Sequence, residues 1–370
     1  MSENTTLRAF EVNRAHWQQT RIVEETLDNA LQDNQVLLAV DRFALTANNI
    51  SYCVTGDLLG YWRFFPAARE WGRIPAMGYA DVVVSNCPGI AAGERVWGFL
   101  PMATHLLIQA GKVNDHGFSD VSAHRAGLAP VYASFDRVAA APHNDPAVED
   151  LTMLLRGLFT TSWLVEDFMF DNDHFDARQY LITSASSKTS IALAFAVRER
   201  GILPAVALTS TANKAFVEDL GCYDRVVTYD EIATLDAAIP SVVVDMAGSD
   251  TILAAIHHHF GEQLRFSSKV GATHYAELSG DPLDSRDDAL PGAEPVFFFA
   301  PAQIEKRTGD WGPGEVMRRL SESLARFLGF GAQFLTVQHH SGAQAMDQCY
   351  QQMLAGTADA ATGYVMSLNE

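Results

Sequence analysis

The pattern of hydrophobic and polar positions changes near residue 141. Before that point, short runs of β-branched and aromatic residues are separated by Gly and Pro, which is typical of strands in a barrel or sandwich. These runs are NQVLLAVDRFALTANN, DVVVSN, ERVWGFL and THLLIQA. The first part of the chain therefore predicts a β-rich unit.

After residue 141, apolar strands alternate with helices. A long apolar helix is expected to begin near Pro146, and the strands that follow it are QYLITSA, AVALTS, DRVVTY, PSVVVDMAG, LRFSSKVG and EPVFFFAP. Continuous apolar strands between helices predict a parallel sheet covered on both faces. We expect an α/β fold, with a Rossmann-type doubly wound domain over residues 151–300. A β-rich, GroES-like domain would span residues 1–150 and be completed by residues 301–370.

Composition limits the classes of partner. A chain of 370 residues with 48% hydrophobic residues suggests two globular domains. A formal net charge of −19 without a basic stripe argues against nucleic acid and anionic membranes as partners. No apolar run is long enough for a membrane span, and the N-terminus lacks a signal-peptide core, so a cytoplasmic location is expected. The four cysteines are scattered, which predicts buried thiols and no structural zinc.

The turn SASSKTS follows the first strand of the α/β part and opens its first helix. Phosphate binding at such a turn uses backbone N–H groups at the helix N-terminus and glycines that allow close approach. This turn has no glycine, but serine hydroxyls can donate to phosphate and a lysine adds charge. A polar helix cap without a ligand is the alternative reading. The residues assigned to the phosphates are Ser184, Ser186, Ser187, Lys188 and Thr189.

The end of the second strand favours a cofactor that carries a 2′-phosphate. Enzymes that use NAD place an acidic residue about twenty residues beyond the phosphate turn, on the ribose hydroxyls. Here the sequence AVALTSTANK offers Ser210, Asn213 and Lys214 instead of an acid. Hydroxyl, amide and ammonium groups suit a 2′-phosphate, which a carboxylate would repel. The alternative is a helix cap followed by a solvated lysine.

Five stretches carry a family resemblance: ALTANNISYCVTG, IPAMGYADVVVSNCPGIAAGERVWGF, MLLRGLFTTSWLVEDF, KAFVEDLGCYDRVVTYDE and VVVDMAG. They resemble the zinc-free quinone oxidoreductase and enoyl reductase-like branch of the medium-chain dehydrogenase/reductase superfamily, and more narrowly the DUF2855 family. The resemblance implies a zinc-free reductase with NADP(H) as cofactor. It implies that Lys214 and Tyr229 bind the 2′-phosphate and that Gly248 belongs to the cofactor site.

The resemblance also bears on metal binding. Zinc-dependent members carry Gly-His-Glu where this chain has Gly78-Tyr79-Ala80. Without the imidazole and the carboxylate, no catalytic zinc is expected.

A reductase without zinc needs another donor for the developing oxyanion, and a phenol or an amide can supply it. In the resembled enoyl reductases, an asparagine near Asn49 and a tyrosine near Tyr61 face the nicotinamide. Because extra residues in this region shift the alignment with those enzymes, Tyr52 and Tyr61 are both candidates for the catalytic tyrosine. All three residues are also compatible with core packing and a turn.

The aromatic-rich segment 60–72 predicts an apolar substrate pocket, or else packing under a long loop. The function expected is therefore NADP(H)-dependent reduction of a small hydrophobic carbonyl or activated alkene. The alternative is a reductase-like scaffold without catalysis, which senses NADPH or binds another protein.

The resemblance further predicts a homodimer joined at the edge strand EPVFFFAP.

Overall fold

The structure, a computed structural model, describes residues 4–28, 30–140, 148–270 and 290–369. Pro146, near which the sequence predicts a helix start, lies outside the described residues. The chain divides into two units. The first comprises Met1–Leu154, Thr336–Ala358 and Thr362–Glu370, and the second comprises Leu155–Leu335 with Asp359–Ala361.

The described residues form seventeen strands and eight α-helices. The strands are β1 (Thr5–Asn13), β2 (Thr20–Leu27), β3 (Gln35–Leu45), β4 (Trp71–Gly72), β5 (Pro75–Ser85), β6 (Arg95–Pro101), β7 (His105–Gly111), β8 (Gly117–Asp120), β9 (Ser134–Arg137), β10 (Gln179–Ile182), β11 (Ala205–Thr209), β12 (Arg225–Thr228), β13 (Ser241–Asp245), β14 (Leu264–Lys269), β15 (Pro295–Phe297), β16 (Thr336–Ser341) and β17 (Thr362–Ser367). The helices are α1 (Ala47–Val54), α2 (Glu149–Asp171), α3 (Lys188–Arg200), α4 (Lys214–Asp219), α5 (Asp250–Phe260), α6 (Ala300–Trp311), α7 (Pro313–Phe334) and α8 (Gly342–Leu354).

The first unit is a barrel with additional strands. Its larger sheet has the order β16-β17-β3-β5-β6-β9-β8-β7. Because β3 also pairs with β7, the six strands from β3 to β7 in that order close on themselves. A smaller sheet, β2-β1-β4, adds an N-terminal hairpin. The β-rich part of the predicted fold is therefore confirmed.

The second unit contains a six-stranded parallel sheet with the order β12-β11-β10-β13-β14-β15. In chain order within the unit this is 3-2-1-4-5-6, the order of dinucleotide-binding sheets. Strands β11 and β13 lie on opposite sides of β10, so the winding reverses beside β10. The predicted doubly wound α/β domain is confirmed, and its ligand position is expected at the carboxyl end of β10.

The boundary of the second unit differs from the prediction. The sequence places residues 301–370 with the β-rich domain, whereas α6 and α7 belong to the second unit. In α7, the Phe327 ring stacks on Phe159 of α2 at 4.8 Å and lies 5.3 Å from Phe195 of α3. The amphipathic pattern of α7 identifies a buried face, but it does not say which surface that face covers. Only residues 336–358 and 362–370 return to the first unit.

Within the described ranges, no helix combines the length and the apolar character that a membrane crossing requires.

Candidate functional site

The turn between β10 and α3 lies at the carboxyl end of β10, where the winding of the sheet reverses. Its backbone takes a conformation that usually needs glycine, because Ser184 has φ of 49°. The backbone N–H of Ser184 donates to the Tyr229 hydroxyl at 3.0 Å. The left-handed conformation costs an L-residue about 1–2 kcal/mol. The turn thus has the left-handed backbone conformation of a glycine-containing turn although it contains no glycine.

Helix α3 begins with a side-chain cap. The Ser187 hydroxyl accepts from the backbone N–H of Ser190 at 3.1 Å. The buried Ser190 hydroxyl donates to the Thr183 carbonyl at 2.9 Å, so α3 starts close against β10. Among the residues that the structure describes, the backbone N–H groups of Lys188 and Thr189 have no acceptor. They stand at the positive end of the helix dipole and can bind an anion.

Lys188 is the first residue of α3 and is half-buried. Its ammonium donates to the Ala360 carbonyl at 3.2 Å, and Ala360 belongs to the segment Asp359–Ala361 of the same unit. Loss of hydration lowers the pKa of Lys188 to about 8, and the nearby Asp359 carboxylate opposes this shift. A partly desolvated lysine beside unpaired amides gives the turn a positive charge that water screens less than it screens an exposed ammonium.

The end of β11 is bonded to the same turn. The side-chain amide of Asn213 donates to the Ser186 hydroxyl at 3.0 Å. Ser210 precedes a 3₁₀ turn, Thr211–Asn213, and its side chain makes no capping bond there. The structure thus brings together Asn213 and Ser186, both of which the sequence assigns to the cofactor, and Ser210 directly follows β11.

Lys214 has an acidic partner that the sequence analysis missed. Its ammonium lies 3.0 Å from a carboxylate oxygen of Glu231, in the 3₁₀ helix that follows β12. The backbone N–H of Thr228, Lys214 and the Thr228 hydroxyl all bond this carboxylate and lower the pKa of Glu231 to about 2. The acid expected in NAD enzymes is absent after β11, but Glu231 supplies one from the next strand end.

The carboxyl ends of β10 and β13 are joined by a buried network. The Thr183 hydroxyl donates to the Asp245 carboxylate at 2.7 Å and accepts from Met246 N at 2.8 Å. The backbone N–H of Gly248, where φ is 67°, lies 3.3 Å from the same carboxylate. Burial raises the pKa of Asp245. The network fixes the backbone at the carboxyl ends of β10 and β13, where the winding of the sheet reverses. Both Thr183 and Asp245 stand at the ends of apolar strands, and this position could have identified them from the sequence.

In the first unit, Tyr52 and Tyr61 share one aromatic cluster. Their ring centroids are 4.5 Å apart, and Tyr132, which the sequence analysis did not identify, lies 6.1 Å from Tyr61. The rings of Phe64 and Phe99 complete the cluster. Burial raises the pKa of Tyr52 and of Tyr61, so both phenols stay protonated near neutral pH. Protonated phenols are hydrogen-bond donors.

The side chain of Asn49 makes two structural hydrogen bonds. Its side-chain oxygen accepts from Thr46 N at 2.7 Å, which caps α1. Its side-chain NH₂ donates to the Pro75 carbonyl at 2.8 Å, and the residue is buried. This amide holds the start of α1 against β5, close in sequence to Tyr52.

The aromatic segment 60–72 contributes to both packing and a cavity. A Cβ at Gly56 or at Gly72 would overlap the Trp62 ring, so the two glycines leave the space that the indole fills. Phe64 and Phe65 are buried in the tyrosine-containing cluster. Beside this segment lies a cavity of about 330 Å³. The lining residues are Arg14, Trp62, Arg63, Pro66, Ala67, Trp71 and His124.

At the position of the zinc-ligand motif, Tyr79 is buried in β5, and the guanidinium of Arg95 lies 5.1 Å from its ring centroid. Arg42 approaches the same ring at 5.9 Å. Over the described ranges, no three His, Cys, Asp or Glu side chains are grouped as metal ligands.

A 3-2-1-4-5-6 parallel sheet and a barrel unit are the fold that the sequence resemblance implies. Solved structures share it along nearly the whole chain. CurA from Vibrio vulnificus, in complex with NADPH, has a TM-score of 0.63 at 10% identity and covers 100% of both chains. The mycobacterial protein Rv1454c complexed with NADPH has a TM-score of 0.59 at 15% identity, over 98% of this chain and 99% of its own. The yhdH oxidoreductase from Salmonella enterica in complex with NADP has a TM-score of 0.53 at 13% identity, over 97% and 99%.

The chain belongs to the family described as "Protein of unknown function (DUF2855)", which matches residues 43–359. No curated protein sequence matches the chain.

Proposed function

We propose that the protein binds NADP(H) at the turn from Ser184 to Thr189 and reduces a hydrophobic carbonyl or activated alkene without zinc. One observation carries the cofactor assignment. The turn lies where the sheet winding reverses, and Ser184 keeps a left-handed conformation there at a cost in stability. The unpaired amides of Lys188 and Thr189 fit a pyrophosphate, and the solved structures with NADPH or NADP share the fold.

When bound, NADPH supplies the hydride. The turn binds the pyrophosphate through Lys188 N and Thr189 N, while the Lys188 ammonium offsets its charge. Ser210 and Lys214 lie at the strand end assigned to the 2′-phosphate. Tyr229 holds the turn through its bond to Ser184 N.

In the first unit, the phenols of Tyr52 and Tyr61 supply hydrogen-bond donors for the substrate oxygen. Their raised pKa keeps the protons on the phenols, so they can stabilise a developing oxyanion by donating to it. Asn49 acts by holding α1 in place. The aromatic surroundings of both tyrosines favour an apolar substrate.

The alternative, a scaffold without catalysis, is favoured by the bonds within the turn. Ser186 is bonded to Asn213, Ser187 to Ser190, and Lys188 to the Ala360 carbonyl. These side chains satisfy one another, as expected for a turn that needs no ligand. The same bonds also preorganise the turn, so binding measurements decide whether the turn holds the cofactor, and turnover separates a reductase from an NADPH sensor.

We further propose a homodimer joined at β15. Among the described strands, this one is the edge of the parallel sheet, and Val296 and Phe297 of β15 and Phe299 just after it are 48%, 40% and 53% exposed. Exposed apolar side chains on an edge strand favour pairing with a second strand.

The test of the proposed function begins with the wild-type protein. NADPH should quench its tryptophan fluorescence at lower concentrations than NADH does. NADPH absorbance should then fall when a hydrophobic quinone or enone is added in the presence of a metal chelator. A wild-type protein that shows no response to NADPH would exclude both the reductase and the NADPH sensor.

A further inference from the structure

The one cation at the predicted 2′-phosphate site, Lys214, is already paired. Its ammonium lies 3.0 Å from Glu231, and the two side chains are 33% and 45% exposed. Glu231 is the one ionic partner that the described residues give this lysine. A phosphate arriving here meets a carboxylate beside the lysine that should attract it.

Glu231 is held firmly in this position. Together with Thr228 it forms a capping box, in which the carboxylate accepts from Thr228 N at 3.1 Å. The bond from Thr228 N is the largest cause of its lowered pKa, followed by Lys214. With a pKa of about 2, the carboxylate stays charged near neutral pH. It cannot relieve the repulsion of a phosphate by taking up a proton.

We infer that Glu231 is a specificity-determining residue that limits the preference for NADPH over NADH. The inference rests on the proposed function and concerns the same cofactor site. A 2′-phosphate carries up to two negative charges, must share Lys214 with Glu231, and is repelled by the carboxylate. NADH carries no 2′-phosphate, and its ribose hydroxyls can donate to Glu231. Lys214 alone predicts strong selection for NADPH, whereas the Lys214–Glu231 pair predicts modest selection.

A positioning role for Glu231 predicts the opposite sign. If the carboxylate mainly directs Lys214 towards the phosphate, its removal weakens NADPH binding. The substitution Glu231→Gln separates the two roles, because glutamine keeps the shape and an oxygen acceptor for Thr228 N but removes the charge.

The experiment is calorimetric titration of NADPH and NADH into the wild type, Glu231→Gln and Glu262→Gln. Glu262 is an exposed residue that precedes β14, at the edge of the parallel sheet opposite to the strand ends that carry Lys214 and Glu231, so its variant removes the same charge away from Lys214. Glu231→Gln should tighten NADPH roughly two- to fivefold, the scale of one partly exposed ion pair. It should not tighten NADH, because the ribose hydroxyls lose a charged acceptor. Glu262→Gln should change neither. When Lys214→Ala is added, the gain for NADPH should shrink to the part that comes from direct repulsion by the carboxylate.

Two results overturn the inference in distinguishable ways. If the wild type binds both cofactors and Glu231→Gln leaves NADPH binding unchanged or weaker, Glu231 does not limit selection and the proposed function stands. If neither the wild type nor Glu231→Gln binds either cofactor, the proposed function fails and the inference fails with it.

Discussion

Lys188 should lower the stability of the protein while serving the phosphate turn. Its pKa falls from 10.5 to about 8 on folding, a difference that corresponds to about 3 kcal/mol of unfavourable free energy for the charged form. Lys188→Met keeps the apolar stem and removes the ammonium. It also removes the bond to the Ala360 carbonyl, which contributes about 1 kcal/mol. The variant should therefore be more stable by about 2 kcal/mol near pH 7.

The sign of the pH dependence follows from the same shift. The folded pKa is lower than the unfolded one, so the unfolded chain binds more protons between about pH 8 and 10.5, and wild-type stability gains from rising pH in that window. The advantage of Lys188→Met should then shrink by more than half by about pH 9.5. Urea denaturation at several pH values, followed by circular dichroism, measures both quantities.

A second lysine provides the control. Lys214 is 33% exposed and ion-paired, so Lys214→Met should not stabilise the fold. In cofactor titrations, Lys188→Met should weaken NADPH about tenfold or more, the loss of a charge-assisted interaction. A Lys188→Met protein that is less stable than the wild type near pH 7, with a difference that does not change with pH, would refute the reasoning.

Three further predictions concern the cofactor, the tyrosines and the assembly. Lys214→Ala should weaken NADPH by about 1–3 kcal/mol and leave NADH nearly unchanged, and equal losses for both cofactors in titration would contradict the assignment. Tyr61→Phe should lower kcat roughly tenfold or more without a comparable change in NADPH affinity. Steady-state kinetics measure the first quantity and titration the second, and an unchanged kcat would show that Tyr61 takes no part in the mechanism. The protein should be a dimer in light scattering at micromolar concentration, with Phe297→Asp a monomer, and a monomeric wild type would exclude the β15 interface.

Much of the second unit could be predicted from the sequence, because each signal there is local. Buried parallel strands give continuous apolar runs, and Ser187 and Gly201 stand where α3 begins and ends. The assignment of α7 could not be predicted, since it depends on contacts with Phe159 and Phe195 that lie far away in the sequence.

The candidate site was predictable only where it follows strand ends. The turn residues and Asn213 were found because parallel strands end at one edge of the sheet. Glu231 was missed because its contact with Lys214 joins segments that follow two different strands, and no spacing rule describes it. Tyr132 was missed because it lies in a short 3₁₀ helix and its contact with Tyr61 joins segments far apart in the sequence.

The central claim, that the glycine-free turn binds the cofactor pyrophosphate, is tested most directly at Ser187. This residue caps α3 beside the unpaired amides, so a leucine side chain should block the approach of a phosphate, whereas glycine should leave it open. NADPH is titrated into folded Ser187→Leu and Ser187→Gly, with Ser187→Ala as the control for loss of the cap. The account predicts no binding by the leucine variant, weakened binding by alanine, and better-retained binding by glycine. If Ser187→Leu binds NADPH as tightly as the wild type, the turn is only a helix cap and the cofactor assignment is wrong.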